Sequence, residues 1–406
     1  MREITGGVCA PLGFKAGGIW CGIKAGSKKR DLALIYSEKK CVAAAMFTTN
    51  RVQAACVQVS RERIAGGLHA IIANSGNANA CTGEAGLVAA RRMAELAATA
   101  LNLDPHDVAV ASTGVIGVPL PITAIEGGMG ALLNSLRDDE SGHVAALEAI
   151  MTTDTRSKDF ATEIEICGVP VRLGGMAKGA GMIHPNMATM LSFITTDAAI
   201  APELLDAALR RAVNRSFNRL TVDGDTSTND MVIIMANGAS GAPRITAEGA
   251  EYETFVKALE ASCVKLTRAM ARDGEGATKL VTVTVSGAVD EETAAILAKS
   301  VAASSLVKAA CFGADANWGR ILCALGYSGA EFDPAQTGVS FKSAAGEIAV
   351  CKNGEVIPFS EEQAKTILSA EEIEILIRAG TGSGVALVWG CDLTYDYVKI
   401  NGDYRT

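Results

Sequence analysis

The sequence predicts an α/β chain of the layered α+β kind, a sandwich of mixed β-sheets with flanking helices. Three observations carry this. Strand-like and helix-like segments alternate, yet each half also contains consecutive strands that read as hairpins, which excludes a purely parallel doubly wound sheet. The 406 residues, 49% apolar and 20% charged, supply a substantial core and exclude a largely disordered chain. The 42 glycines lie between apolar runs without a period, a mark of many tight turns and not of a collagen-like or low-complexity chain.

Residues 31–36 and 42–49 read as two buried strands, and residues 69–73 as a third. The third runs into Asn74-Ser-Gly-Asn77-Ala-Asn79-Ala-Cys-Thr-Gly. Such a loop suits pure turn chemistry and the lining of an active site equally well. Residues 84–101 form an amphipathic helix with Leu87, Ala90, Met93, Leu96 and Ala97 on one face. A strand over 107–112 ends in Ser112-Thr113-Gly114. That tip offers one hydroxyl and one unencumbered backbone N–H, the donors an oxyanion needs, although a plain strand-to-loop turn has the same composition. Helices near 121–136 and 142–150 lead to Met151-Thr152-Thr153-Asp154, and strands 161–166 and 169–173 make a hairpin across Cys167-Gly168.

Next comes Lys178-Gly-Ala-Gly-Met-Ile-His-Pro-Asn-Met-Ala188-Thr189-Met-Leu. A glycine-rich run meets an apolar, β-branched segment that reads as a core strand opening at Thr189. A helix covers 202–216. The acidic loop 220–230 resembles a metal loop in composition but lacks the calcium-loop spacing, so Asx-turns are its expected content and no metal site is assigned. A helix over 248–273 ends at Asp273-Gly-Glu275-Gly. Glu275 between glycines suits either a cleft or a solvated loop. A strand at 280–285, a helix at 291–304, a strand at 307–312, and a helix capped by Asp315 or Asn317 follow. Hairpins over 338–358 turn at Lys352-Asn-Gly-Glu. A helix spans 361–379, a strand 385–391, and a polar tail without a docking helix closes the chain.

Net charge of −8 and the absence of a basic stripe interleaved with aromatics exclude a nucleic-acid surface. No phosphate-binding glycine motif follows a strand, which removes the ordinary nucleotide-binding readings. The eleven cysteines include no C-x-x-C pair and read as buried thiols in a reducing compartment. With no secretory segment and no long apolar run, the expected location is the cytoplasm. Only four histidines occur, and His106 and His143, at polar helix starts, are expected in solvent. A histidine-based triad therefore has little to draw on. A threonine can instead be activated by its own α-amino group, which titrates near about 7.7–8.0. For Thr189 this requires cutting the Ala188–Thr189 bond. The Thr189 hydroxyl attacking the Ala188 carbonyl would give an ester that water opens.

The 178–191 segment resembles the self-cleavage segment of the ornithine acetyltransferase family, also called glutamate N-acetyltransferase. Asn74-Ser-Gly-Asn-Ala-Asn, Ser112-Thr-Gly-Val-Ile-Gly, Met151-Thr-Thr-Asp, Thr221-Val-Asp-Gly-Asp-Thr-Ser-Thr-Asn-Asp and Ala314-Asp-Ala-Asn-Trp-Gly-Arg match it as well, in order along the chain. The resemblance implies a cytoplasmic arginine-biosynthesis enzyme with the layered fold of self-cleaving aminopeptidases. It implies an α chain (1–188) and a β chain (189–406), associating as a heterotetramer of two of each. It further implies transfer of acetyl from N-acetylornithine to glutamate through acetyl-Thr189, with no metal or cofactor and with acetyl-CoA as a second candidate donor. Thr113 and Gly114 would form the oxyanion hole. Thr152 (or its neighbour Thr153), Lys178, Thr189, Glu275, Asn401 and Thr406 would contact substrate. The competing reading within the same fold is an N-terminal-nucleophile aminopeptidase or amidase, with water as acceptor; the competing reading of another class is a non-catalytic binding protein that is never cut.

Overall fold

A single strand of 16 residues, Leu32–Phe47, runs through both halves of the larger sheet. Two strands were expected there, and two sets of partners do exist, but the backbone between them stays extended, with a register shift after Tyr36. The computed structural model describes residues 1–24, 26–184 and 190–403. Ala188, Thr189 and Thr406 therefore lie outside the described residues.

The larger sheet has nine strands: β1 (Arg2–Glu3), β2 (Phe14–Ile19), β3 (Leu32–Phe47), β4 (Leu68–Asn77), β5 (Val108–Val115), β6 (Lys158–Ile166), β7 (Val169–Lys178), β8 (Leu191–Thr196) and β9 (Met231–Ala236). Their order is β1-β6-β7-β8-β9-β3-β4-β5, with β2 on β3. The β4–β5 and β8–β9 pairs are parallel and the others antiparallel, so the sheet is mixed. β9 was not anticipated, and its burial says why. Met231, Ile233 and Met235 enter one core while Val232, Ile234 and Ala236 enter another. A strand covered on both faces shows no polar alternation.

Helices α1 (Ala55–Arg61), α2 (Gly83–Leu101), α3 (Ile122–Asn134) and α4 (Glu140–Ile150) pack around β2–β5. α5 (Pro202–Asn214) and α6 (Ala250–Arg272) pack together, against β3 and β6 respectively. The smaller sheet runs β13-β12-β11-β14-β10-β15. It contains β10 (Leu280–Ala288), β11 (Gly338–Ser343), β12 (Gly346–Lys352), β13 (Glu355–Val356), β14 (Glu372–Arg378) and β15 (Gly384–Cys391). Its core includes α7 (Glu291–Ala303), α8 (Ser305–Phe312), α9 (Trp318–Gly326) and α10 (Glu361–Leu368). α11 (Tyr395–Asp403) follows the last strand.

Four expectations are corrected. The strand at 307–312 is helix α8: Ser304 caps it through the Val307 N–H, and Val307, Lys308, Ala310 and Cys311 are buried at helical spacing. The helix expected over 361–379 stops at Leu368. From Glu372 the chain is β14, with Ile373, Ile375 and Ile377 buried in strict alternation and paired parallel to β10. The tail is helical, and the hydroxyl of Thr394, just before α11, donates to the Gly276 carbonyl at 2.7 Å. His143 is buried: Nδ1 accepts from the Val8 N–H at 3.3 Å and Nε2 lies 3.3 Å from Asp159. The hairpin turns hold as expected, with Cys167, Gly168, Asn353 and Gly354 all at positive φ.

Among the described residues no single helix is long and apolar enough to cross a membrane. The bent pair α7–α8 passes by length and composition together, but Leu297, Val301 and Val307 are buried in the smaller sheet's core. Seven of the free cysteines are buried; Cys81, Cys167 and Cys323 are exposed.

Candidate active site

Two strands, the segments that follow two helices, and a third helix converge on a cleft of about 560 Å³. β5 contributes Thr113 and Gly114, the loop after α4 contributes Thr152 and Thr153, and the end of β7 contributes Lys178. The turn after α6 contributes Glu275, and α11 contributes Asn401. Every predicted site residue that is described thus lines one cavity.

The Thr113-Gly114 strand does not stop at Ser112. β5 continues to Val115, with a register irregularity against Gly76 and Asn77 of β4. A Cβ on Gly114 (φ +134°) would lie 2.4 Å from the Gly76 carbonyl carbon, so only glycine permits this close approach. The asparagine loop supports the turn from behind. Asn74 accepts from Ser112 Oγ at 2.7 Å and donates to the Asn77 carbonyl at 2.9 Å. Asn229 donates to the carbonyls of Ala78 and Ser112 at 2.6 and 2.8 Å. The loop's asparagines do turn chemistry, and their effect is to fix the wall of the cleft.

Lys178 Nζ donates to Thr113 Oγ1 at 3.3 Å. Burial pushes its ammonium below the usual lysine range; Asp154 opposes that and Lys158 adds to it. Among the described residues no carboxylate oxygen lies within 4.0 Å of Lys178 Nζ. Glu275 sits in the same cleft and accepts from Asn401 Nδ2 at 2.9 Å. Its carboxylate lies over Gly181, where a Cβ would come within 2.3 Å of Oε2. Among the described residues the cleft therefore offers one cation without an ion-pair partner, Lys178, and one carboxylate held by an amide, Glu275.

Beneath it runs a buried chain of charges that sequence reasoning missed. Lys158 Nζ donates to Asp154 Oδ1 and to Asp273 Oδ2, both at 2.6 Å. Asp154 also accepts from the backbone N–H groups of Gly179 and Thr152, at 2.7 and 3.0 Å. Asp273 accepts from the Thr155 N–H at 3.0 Å and from the Thr155 hydroxyl. Burial raises the Asp154 carboxyl, but Lys178 and Lys158 outweigh it and hold it at about 2. One network thus positions the Thr152 loop, the start of the 179–184 segment and the helix end before Glu275. A signal existed: an acid at the C-terminus of a helix opposes the macrodipole and calls for a compensating cation.

The 220–230 loop holds both flanks of residues 185–189. Asp223 accepts from the N–H groups of Met182 and Ile183 at 2.6 and 2.8 Å, and Thr221 Oγ1 lies 3.1 Å from His184 Nδ1. On the other side, Asp230 Oδ1 accepts from the Met190 N–H at 3.0 Å. Burial raises the Asp230 carboxyl well above its usual range.

The sequence matches the ArgJ family over residues 15–406. It is 52% identical to arginine biosynthesis bifunctional protein ArgJ of Symbiobacterium thermophilum, with both chains covered in full. It is 47% identical to the protein of the same name from Bacillus subtilis, over 100% of this chain and 98% of that one. Among solved structures, that of the Bacillus halodurans arginine biosynthesis bifunctional protein ArgJ aligns with a TM-score of 0.51 at 48% identity. All of that solved chain is matched, and it covers 53% of this one. The chain belongs to the ArgJ family.

Proposed function

We propose that the chain transfers an acetyl group from N-acetylornithine to glutamate through an acetyl-Thr189 intermediate, after cutting itself between Ala188 and Thr189. By family it is an acyltransferase of arginine biosynthesis. The observation that carries the reading is the pair of opposite charges in one cleft, Lys178 without an ion pair and Glu275 held by Asn401. N-acetylornithine carries the complementary pair, an α-carboxylate and a side-chain ammonium. Lys178 would take the carboxylate and Glu275 the ammonium, each as a charge-assisted contact in a partly dry site.

That pairing leaves the acetamide carbonyl to Thr113 and Gly114. Because the Thr113 oxygen accepts from Lys178, its hydroxyl proton is free to donate to an oxyanion. The Thr189 hydroxyl would attack, its own α-amine taking the proton and passing it to the departing ornithine amine. Glutamate would then attack the acetyl ester through its amine, restoring Thr189. No cofactor enters these steps. Thr152, with Thr153 beside it, and Thr406 complete the proposed substrate contacts.

The topology supports a cut without dissociation. β7 pairs with β8 and β3 with β9, so strands from both sides of the proposed break share one sheet. The Bacillus halodurans chain, matched over its whole length yet spanning 53% of this one, is consistent with a break near the middle. The two chains would remain together, as a heterotetramer in the cytoplasm.

Intact-mass measurement and an acetyl-transfer assay test this. Wild type should give two chains, and acetylglutamate only when acetylornithine and glutamate are both present. Thr189→Ala should give one uncut chain with turnover reduced at least about 10³-fold. Acetate released without acceptor as the main product, or full turnover in Thr189→Ala, refutes the reading.

A further inference from the structure

Six aspartates are buried among the described residues, and Asp230 alone leaves a carboxyl oxygen unused. Asp31, Asp154, Asp197, Asp273 and Asp392 each accept hydrogen bonds at both oxygens. Asp230 Oδ1 accepts from the Met190 N–H at 3.0 Å, while Oδ2 has no hydrogen-bond partner among the described residues. The Met231 N–H donates to the Met190 carbonyl at 3.1 Å, so both backbone groups of Met190 are pinned beside this acid. The charged group facing Asp230 is Lys178, at the end of β7. Its attraction does not overcome burial, and the carboxyl stays well above its usual range.

A carboxyl that keeps its proton has a donor as well as acceptors. Oδ1 is the acceptor here, which puts the proton on Oδ2, the oxygen with no partner to receive it. A buried polar atom left this way costs about 1–3 kcal/mol, and its persistence calls for a use. The nitrogens of successive residues lie about 3 Å apart along a chain, so an acid that holds the nitrogen of residue 190 is within reach of the nitrogen of residue 189. The neighbouring groups are otherwise engaged. Asp223 spends both oxygens on the Met182 and Ile183 N–H groups, Glu275 is held by Asn401, and His184 Nδ1 faces Thr221 Oγ1.

Resting on the self-cleavage reading above, we propose that the Asp230 carboxyl is the proton carrier of the cut between Ala188 and Thr189. The Thr189 oxygen forms a bond to the Ala188 carbonyl carbon, and the carbon–nitrogen bond breaks. Asp230 gives its proton to the departing nitrogen and takes in exchange the proton that the hydroxyl sheds, so the acid leaves the step as it entered. Water then adds to the ester carbon and the carbon–oxygen bond to Thr189 breaks. One water proton restores the hydroxyl, and Ala188 is left with a carboxyl group. No oxidant or reductant is needed.

The test times the cut by intact mass during cell-free synthesis of the full chain, for wild type, Asp230→Asn and Asp230→Ala. An asparagine keeps an oxygen for the Met190 N–H but carries no transferable proton, so it separates proton transfer from positioning. Asp230→Asn should fold, with a urea midpoint near that of wild type, and cut at least about 10²-fold more slowly. Asp230→Ala should be as slow. Cutting at the wild-type rate in Asp230→Asn, with or without a defect in Asp230→Ala, would reduce Asp230 to holding Met190 and overturn the proposal. Wild type timed in heavy water gives a reading that needs no variant to fold. A proton in flight should slow the cut about twofold, and an unchanged rate overturns the proposal. A wild type that is never cut removes the self-cleavage reading itself, whereas normal cutting in both variants removes only the role of Asp230.

Discussion

Two of the lysines buried among the described residues, Lys158 and Lys279, are satisfied in opposite ways. Beneath the cleft, Lys158 sits between two carboxylates, Asp154 and Asp273, with its side chain fully buried. Beneath the smaller sheet, Lys279 reaches only backbone oxygens among the described residues. Its Nζ donates to the carbonyl of Cys311 at 2.6 Å and of Leu368 at 2.8 Å, with the Phe312 carbonyl at 3.5 Å. Those are terminal carbonyls of α8 and α10, so one ammonium caps two helix C-termini at their negative ends. Lys308 does the same for the last residue of β15, donating to the Cys391 carbonyl at 2.6 Å. The first arrangement trades charge for charge and ties down loops that line a cleft. The second trades charge for dipoles and closes the fold.

Substitution separates the two. Lys158→Met should have the largest effect, because it strands two buried carboxylates, a loss of about 3–5 kcal/mol. Turnover of the remaining folded protein should also collapse, since the Thr152 loop and the turn before Glu275 lose their common tie. Urea unfolding and acetyl transfer measure both; unchanged turnover would deny the network its positioning role. Lys279→Met should cost less, about 1–3 kcal/mol for carbonyls left unpaired, and leave turnover per folded molecule within about twofold. A large turnover defect there would erase the distinction between the two clusters.

Acidification sharpens the comparison further. Asp154 is held at about 2 by Lys178 and Lys158 against its burial, and burial pushes His184 down to about 4. Both folded values lie below the unfolded ones, so the folded state binds fewer protons at these groups. Their stability contribution is complete above the unfolded values, 6.5 for His184 and 3.8 for Asp154, and is lost as pH falls toward about 4 and about 2 respectively. Urea midpoints measured from pH 7 to pH 4 should fall, and His184→Gln should flatten that part of the curve. An unchanged slope in the variant would remove His184 from the account.

The smallest effect is expected at the exposed end of the cleft. Asn401→Ala removes the amide that holds Glu275. KM for acetylornithine should rise about fivefold, the value of one ordinary hydrogen bond, with stability within about 0.5 kcal/mol. A stability loss without a KM change would make Asn401 a helix-docking residue only.

Local chemistry made much of this legible from the residues. The apolar stripe of α2, the proline at the start of α5, the Asn353-Gly354 turn and the glycines around Lys178 and Glu275 each act over a few residues, where periodicity and backbone freedom are read directly. The alternation Glu-Ile-Glu-Ile-Leu-Ile-Arg of β14 was also present, but it was overridden by the helix signal running into it from Glu361. β9 carried no alternation because both of its faces are buried. What the sequence determined by itself was the element set over most of the chain and the family-bearing motifs: Thr113-Gly114, Thr152, Lys178, Glu275 and the segment ending at Thr189. Only the tertiary structure decided which charges meet. Lys158 and Asp273 are 115 residues apart, and Asn401 and Glu275 are 126 apart. No periodicity encodes such pairs, because the driving force is the cost of leaving a charge unpaired once folding has removed water from around it.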